Sequence, residues 1–295
     1  MSLQYIFYYG SYLVWPFLLL LLWLWKKRWH RLLLIIGLCL SILFIDARFV
    51  EPRLIQINEH SYRFHDTATT ALRVALISDM HIGVYRSSAF LQKEIETIQE
   101  LQPDMVFIAG DFIYYLSEKD VSTVFSAYRE LGIPIYAVAG NHDSQHPGDI
   151  ASAVMRERLS AQGITFIDNT QQTITHEGKE LSIFGLSDLW EGTIDFSALS
   201  AVEESENSLV LMHNPDTIYH FPTESADLVF AGHTHAGQVR IPWLYRFVIP
   251  SQYGFDNGWY EVKHMDLFIT AGTGMVGIPL RFLNPPQIEL FTLWL

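Results

Sequence analysis

Five short apolar runs, each followed directly by residues able to bind a metal, constrain the fold of this chain most strongly. The runs lack polar alternation, which is typical of strands buried on both faces, and helical stretches separate several of them. This pattern predicts an α/β fold. The runs are 74–77, 105–108, 133–138, 209–212 and 228–230, with 181–184 and 266–269 as further candidate strands and 88–101, 121–131 and 149–162 as candidate helices.

The residues that follow these runs are Asp, His and Asn. In an open α/β sheet, ligands bind beyond the carboxyl ends of the strands, so side chains distant in sequence can converge there. The only cysteine, Cys39, lies in an apolar run, so any metal site must use nitrogen and oxygen ligands. The candidate metal ligands are Asp79, His81, Asp111, Asn141, His213, His233 and His235.

Each of these clusters has an ordinary structural explanation when taken alone. A Gly-Asp pair is commonly a turn, and a single histidine such as His213 is commonly a hydrogen-bonded structural residue. All five clusters in order, each after a strand-like run, favour a metal site instead. Histidines outside this context are predicted to be structural or on the surface: His60, His65, His146, His176, His220 and His264.

The ordered motifs resemble the calcineurin-like metallophosphoesterase family, in its bacterial branch of membrane-bound or exported phosphohydrolases. The resemblance covers residues 73 to about 290, and two departures, Met80 and Ala236, leave the ligands unchanged. It implies a two-sheet α/β sandwich flanked by helices, with the site at the rim. The motifs are Asp79-x-His81, Gly110-Asp111, Gly140-Asn141-His142-Asp143, His213, Gly232-His233-Thr234-His235 and the closing segment 272–290.

The same resemblance implies two divalent metal ions, either Mn, Fe, Zn or Co, and direct attack of a metal-bridging hydroxide on phosphorus. Asp111 would bridge the two ions. One ion would be held by Asp79, His81, Asp111 and His235, and the other by Asp111, Asn141, His213 and His233.

Four further features near the motifs have candidate roles. His142 is predicted to be catalytic, stabilising the transition state or protonating the leaving oxygen. Asp143 either orients His142 or caps the following segment. Arg281 is a candidate contact for a substrate phosphate. The aromatic-rich segment 243–260 either walls the site or packs against the sheet.

The first 52 residues are predicted to form a membrane anchor, and residues 53–295 the catalytic domain. Residues 3–25 carry no charge and as a helix would span the roughly 30 Å hydrocarbon layer. A cleaved signal peptide is disfavoured, because no basic residue precedes this segment and a second apolar run, 32–45, follows it. We expect a hairpin whose basic loop, 26–31, lies in the cytoplasm, with the domain outside. If the second run only lies at the interface, the domain is cytoplasmic.

The charge balance excludes one class of partner. Residues 51–295 contain 14 basic and 31 acidic residues, so sequence-independent binding to a nucleic acid duplex is not expected. The predicted partners are the bilayer and a phosphate-ester substrate, with a lipid-linked or envelope compound favoured by the anchor. Phosphodiesterase activity is favoured, with phosphomonoesterase or pyrophosphatase activity as alternatives. A tethered scaffold with a lost site and a small transporter are disfavoured, since every ligand is present and the apolar runs contain no buried charge.

Overall fold

Two long apolar helices begin the chain. The computed structural model describes residues 3–25, 31–144, 152–191, 194–196, 206–222 and 225–295. Helix α1 (Leu3–Gly10) and helix α2 (Val14–Trp25) are joined by a 3-10 turn, and helix α3 (Arg31–Ile45) continues through wider and tighter turns to Arg53. The predicted basic loop lies outside the described residues, except for Arg31.

Each of these two helical segments has the length and composition needed to cross a membrane. They comprise Leu3–Trp25 and Arg31–Arg53, at 23 residues each. The second is longer than its 14-residue apolar run because the helical turns continue beyond Ile45 to residues that pack against the following domain, including Ala47. The backbone N–H of Arg281 donates to the carbonyl of Ala47 at 2.9 Å, which ties the end of this segment to the domain.

Two six-stranded sheets form the rest of the fold, which confirms the predicted two-sheet α/β architecture. In the first sheet neighbouring strands are parallel, except that the second and third strands in its order pair antiparallel. Its order is β1 (Gln56–Arg63), β14 (Gln287–Trp294), β2 (Ala71–Ile77), β4 (Met105–Ala109), β6 (Ile135–Val138) and β7 (Ile164–Phe166).

The second sheet has three parallel pairings at its centre and an antiparallel strand at each edge. Its order is β12 (Gly258–Val262), β13 (Met265–Ile269), β11 (Leu228–Ala231), β10 (Ser208–Leu211), β9 (Lys179–Gly185) and β8 (Thr170–His176). A separate two-stranded ribbon pairs β3 (Ile82–Gly83) with β5 (Ile113–Tyr114) beyond the ends of β2 and β4.

One hydrophobic core lies between the two sheets. Phe107 of the first sheet contacts Phe230 of the second, which in turn lies 4.5 Å in ring-centroid distance from Phe291. The opposite face of the first sheet is covered by helices, as Leu91 and Ile95 pack in one cluster with strand residues. The remaining helices are α4 (Ser88–Leu101), α5 (Glu118–Val124), α6 (Asn141–Ser144) and α7 (Ser152–Ser160).

The structure has a strand at each of the seven apolar runs predicted to form one, and it has further strands that the runs did not predict. Strands β1 and β8 expose alternate or most positions, so they contain no unbroken apolar run. Helix α4 matches its prediction, and the predicted helix 121–131 is found as α5 followed by a 3-10 turn, Phe125–Glu130. The third predicted helix is α7, whose predicted first residues, 149–151, lie outside the described residues.

A buried carboxylate on α4 makes the stability of the fold depend on pH. Glu94 is fully buried, and neither of its oxygens has a hydrogen-bond partner among the described residues. Burial raises the pKa of Glu94 from 4.5 to about 7. Between these values the unfolded chain releases a proton that the folded chain retains. Stability therefore falls as the pH rises through this window, by about 3 kcal/mol in total.

We predict that Glu94→Gln stabilises the protein at pH 8 and has little effect near pH 4.5, because the amide carries no charge to bury. Denaturant unfolding of the full chain in detergent at a series of pH values measures the difference, which should grow to about 3 kcal/mol. Glu96→Gln, on the exposed side of the same helix, is the control and should show no such trend. A difference for Glu94→Gln that stays constant with pH would contradict the prediction.

Candidate metal centre

All seven predicted ligands converge at one end of the two-sheet sandwich. Asp79 and His81 follow β2, Asp111 follows β4, Asn141 follows β6, and the three remaining histidines follow β10 and β11. Within each sheet these ligand-bearing strands run parallel to one another, so their carboxyl ends meet at the same edge. The structure thus brings together residues from five separate segments.

The backbone at these positions is strained. Five of the seven residues have a positive φ, a backbone conformation that residues other than Gly seldom adopt. They are Asp79 (53°), His81 (46°), Asp111 (59°), His233 (70°) and His235 (50°). Strain concentrated on one set of facing polar side chains is typical of a functional site, since the surrounding structure must hold each residue in place.

Two glycines allow the segments to approach one another closely. A Cβ atom added to Gly140 would collide with the carboxylate of Asp111, and one added to Gly232 would collide with the side chain of Ser78 and lie 2.6 Å from Asp79 Oδ2. Any larger residue would therefore displace two of the candidate ligands.

A first group of ligand atoms surrounds one point between β2 and β11. The Nε2 atoms of His81 and His235 lie 3.0 Å apart, and Asp79 Oδ1 is 3.3 Å from His235 Nε2 and 3.9 Å from His81 Nε2. Asp79 Oδ1 has no hydrogen-bond partner among the described residues. A buried carboxylate oxygen facing two ring nitrogens has the donor set and the spacing of a divalent-metal site.

A second group lies on the other side of Asp111. His213 Nε2 is 3.2 Å from Asn141 Oδ1, 3.1 Å from His233 Nδ1 and 3.3 Å from Asp111 Oδ2. The same Asp111 oxygen is 3.4 Å from His81 Nε2 in the first group. One carboxylate oxygen therefore faces both groups, while the other accepts the backbone N–H of His142 at 2.9 Å.

Burial keeps most of the histidine rings neutral. It lowers the pKa of His81 and His233 to about 3 and that of His235 well below its ordinary value. Burial also raises the pKa of Asp79 to about 6. A neutral imidazole offers a lone pair to a metal, and a cation beside Asp79 would offset the cost of its buried charge. The residues present therefore fit a metal centre.

His213 differs from the other histidines. Its Nδ1–H donates to the carbonyl of Ala109 at 2.6 Å, which leaves Nε2 directed at the candidate ligands. Burial opposes a charge on this ring, but the carboxylate of Asp111 prevails and raises the pKa of His213 well above its usual range. The ring thus occupies a place where the surrounding carboxylates attract positive charge, and a metal ion bound at Nε2 would supply it.

His142 lies beside the first group, with its ring centroid 4.9 Å from that of His81 and 5.4 Å from that of Tyr114. It is close enough to His81 and Asp111 to act as a further metal ligand, a role not anticipated from the sequence. It is only half-buried, unlike the seven candidate ligands.

Asp143 stabilises the backbone rather than His142. Its carboxylate accepts the backbone N–H groups of Asp111 at 2.8 Å, Phe112 at 2.9 Å and Gly140 at 3.0 Å. The bond to Gly140 ties the residue before α6 to the first turn of that helix. The segment after Asp143, which its second predicted role has it cap, lies largely outside the described residues. The bonds to Asp111 and Phe112 also fix the turn that carries the shared carboxylate.

Arg281 does not face the site, and its predicted contact with a substrate phosphate is wrong. The side chain is fully buried, and its guanidinium donates at 2.9–3.2 Å to five backbone carbonyls, those of Ala271, Gly272, Gly274, Asn284 and Pro285. The guanidinium N–H groups are thus used in bonds to the protein's own backbone. Arg281 therefore stabilises the loop that passes behind Asp79.

Two residues of the site were missed from the sequence. Asp188 is buried and follows β9, the same strand-then-acid pattern that identified the ligands, and His213 is among the groups that alter its pKa. Trp190 lies two residues further, and its ring meets that of His233 edge-on at 4.6 Å. Applying the pattern to the run 181–184 would have found this segment.

The metal centre opens into a cavity of about 520 Å³ with mostly apolar walls. Leu244, Tyr245 and Val248 line it, so part of the segment 243–260 walls the site, one of the two roles predicted for this segment. Trp259 instead packs on the sheet against Phe268, which is the other predicted role. Other lining residues are His142, Trp190, His233, Val239, Ile241 and Ile278.

The other histidines that the structure describes lie away from this centre. His60 Nε2 contacts Glu289 Oε2 at 2.9 Å, His65 contacts the carbonyl of Glu206, and His264 is exposed. His146 lies outside the described residues.

The fold and the paired ligand groups define an α/β protein with a candidate two-metal site. The family model for calcineurin-like phosphoesterases matches residues 72–237, more than half of the chain. The chain belongs to the calcineurin-like phosphoesterase family.

Three curated relatives illustrate the range of that family. The chain is 31% identical to the metallophosphoesterase YkuE of Bacillus subtilis, over 84% of this chain and 88% of YkuE. It is 28% identical to phosphodiesterase YaeI of Escherichia coli, over 83% of this chain and 90% of YaeI. It is 23% identical to UDP-2,3-diacylglucosamine pyrophosphatase LpxG of Chlamydia muridarum, over 83% of this chain and 91% of LpxG.

We predict that Arg281→Met destabilises the protein by about 3–5 kcal/mol, because five buried carbonyls lose their donor. Denaturant unfolding measures the loss. Arg73→Met is the control: this exposed arginine donates through its side chain to the carbonyl of Leu101, so the loss should stay below about 1 kcal/mol. Unchanged stability together with a raised KM would instead restore the substrate-contact role.

Proposed function

We propose that the chain hydrolyses a phosphodiester or pyrophosphate bond at two divalent metal ions bridged by Asp111. The observation that carries the proposal is the position of Asp111 Oδ2, which lies within 3.4 Å of a ring nitrogen in each ligand group. One ion would be bound by Asp79, His81, Asp111 and His235, and the other by Asp111, Asn141, His213 and His233. When bound, such ions supply an activated water and neutralise the phosphate oxygens.

The residues of the chain would then position the substrate and move protons. His142 is half-buried and lines the cavity, where it would donate a proton to the leaving oxygen. Trp190 and the apolar walls would exclude bulk water from the reacting phosphate, which strengthens each electrostatic contact there.

The walls of the cavity favour an amphiphilic substrate. A phosphate at the metal centre would place any attached acyl or prenyl chain against Leu244, Val248 and Ile278. The relative LpxG is named for a diacylated nucleotide sugar, which has this combination of groups. Turnover that rises with acyl-chain length, at a constant headgroup, would support this substrate class, and turnover independent of chain length would exclude it.

The two apolar helices would anchor the enzyme as a transmembrane hairpin, with residues 53–295 as the catalytic domain. Support comes from their length, their apolar composition and the exposed side chains along both helices. With the basic loop in the cytoplasm, the domain lies outside. Reporter fusions after residue 27 and after Arg53 test this arrangement: an active cytoplasmic reporter at both sites would contradict it.

The full chain, purified and supplied with Mn²⁺, is expected to hydrolyse bis-p-nitrophenyl phosphate. Asn141→Ala removes a candidate ligand oxygen and should abolish turnover, while Gln56→Ala, at the exposed start of β1, should leave it unchanged. If no turnover above the Asn141→Ala background is found with Mn²⁺, Zn²⁺, Co²⁺ or Fe²⁺, the proposed activity is wrong.

His142→Ala is expected to reduce kcat by about 10²–10⁴-fold, as loss of a general acid does, while two metal ions stay bound per chain. The defect should be smaller for a substrate with a good leaving group such as p-nitrophenolate, because that oxygen needs little help from a proton. Elemental analysis of the purified variant reports the metal content. Loss of one ion in His142→Ala would show that His142 is a ligand instead.

A further inference from the structure

A second polar cavity, of about 150 Å³, lies where the helical hairpin meets the catalytic domain. It is separate from the metal centre and shares none of its candidate ligands. Arg48 comes from the end of the second apolar segment, Arg53 from the connection, and Arg86 from the turn before α4. Three arginines therefore line one small cavity, and no Asp or Glu is among its lining residues.

These arginines lack carboxylate partners. Within the described part of the chain, none of the three lies within 4.0 Å of an acidic oxygen. Arg48 donates through Nε to Ser11 Oγ at 2.9 Å and packs over the ring of Tyr8. Arg86 donates to the carbonyls of Pro52 and Thr273. These neutral partners hold the guanidinium groups in place but do not neutralise their charge.

Two of the guanidinium groups also have unused donors. Arg48 and Arg86 are each only 3% exposed, yet Arg48 Nη2 and Arg86 Nε have no hydrogen-bond partner among the described residues. A buried, charged N–H without an acceptor is costly. Burial, together with the nearby charges of Arg281, Arg53 and Arg48, lowers the pKa of Arg86 well below its ordinary value, and the charge of Glu94 offsets this only in part. An anion in the cavity would offset both costs.

The amino end of α4 faces the same cavity. Ser87, which precedes this 14-residue helix, and Phe90, in its first turn, line the cavity, and the side chain of Ser87 does not cap the helix. The helix dipole and the free N–H groups at such an end favour a bound anion. At about 30 Å³ per water molecule, the volume suits a phosphate group with a few waters.

We propose that this cavity binds the phosphate group of an anionic ligand. The aromatic residues Tyr8, Tyr12 and Trp15 lie at the same end of the hairpin as Arg48, as is typical of residues at the membrane interface. On the membrane anchoring proposed above, the cavity is at the depth of lipid phosphates, so an anionic phospholipid is the favoured source. Free inorganic phosphate has the same chemistry and is the other source.

The site also connects to the metal centre through the backbone. Arg86 donates to the carbonyl of Thr273, and the backbone N–H groups of Thr273 and Gly274 donate to the carbonyls of Ser78 and Asp79 at 3.0 Å and 2.7 Å. An occupied phosphate site would therefore fix the catalytic domain against the membrane through the same loop that supports a candidate ligand.

Native mass spectrometry of the full chain, released from nanodiscs of phosphatidylglycerol and phosphatidylcholine, tests the lipid source. The wild type should retain one phosphatidylglycerol in preference to phosphatidylcholine. Arg48→Gln and Arg53→Gln should each weaken this retention by about tenfold, as expected for loss of a charge-assisted contact. Arg129→Gln, at an exposed arginine whose side chain donates to the carbonyl of Ala161, is the matched control.

Thermal unfolding of the EDTA-treated chain in detergent tests the other source, since removing metals prevents phosphate from binding at the metal centre. Stabilisation by inorganic phosphate, over chloride at equal ionic strength, that is lost in Arg53→Gln would assign the site to free phosphate. If Arg48→Gln does not fold, the result for Arg53→Gln, at an exposed position, decides between the outcomes. Equal lipid retention and equal phosphate response in the wild type and in Arg53→Gln would overturn the proposal. Neither readout depends on hydrolytic activity.

Discussion

The position of the Asp111 carboxylate is the constraint on which the rest of the site depends. One oxygen faces a ring nitrogen from each ligand group, and the other accepts the N–H of His142. Buried charge of this kind costs several kcal/mol unless a cation is nearby. The surrounding structure maintains it: Asp143 bonds the turn that carries Asp111, Gly140 leaves it space, and His213 is oriented from behind by a backbone carbonyl.

The sequence predicted the α/β class and the seven candidate ligands because both depend on local order. A buried strand needs an unbroken apolar run, and the side chain after it reaches the carboxyl edge of the sheet. The pattern identified β2, β4, β6, β10 and β11, and the comparison with known proteins confirms the family. The same logic applied to β9 would have added Asp188 and Trp190.

Other features depend on tertiary contacts that no local pattern encodes. Arg281 has the chemistry of a phosphate ligand, and only the fold shows that five carbonyls surround it. Strands β1 and β8 have polar faces because they lie at sheet edges. The turns that extend the second apolar helix to Arg53, and the arginine-lined cavity beside them, arise from contact between the hairpin and the domain. At this junction Arg86 donates to the carbonyl of Thr273, in the loop behind Asp79.

Anomalous X-ray scattering from crystals of the full chain grown with Mn²⁺ would test the central claim most directly. We expect two metal peaks about 3.5–4 Å apart, one on each side of the Asp111 carboxylate. One peak would lie among Asp79, His81 and His235, and the other among Asn141, His213 and His233. A single peak, or two peaks that do not share Asp111, would contradict the proposed two-metal site.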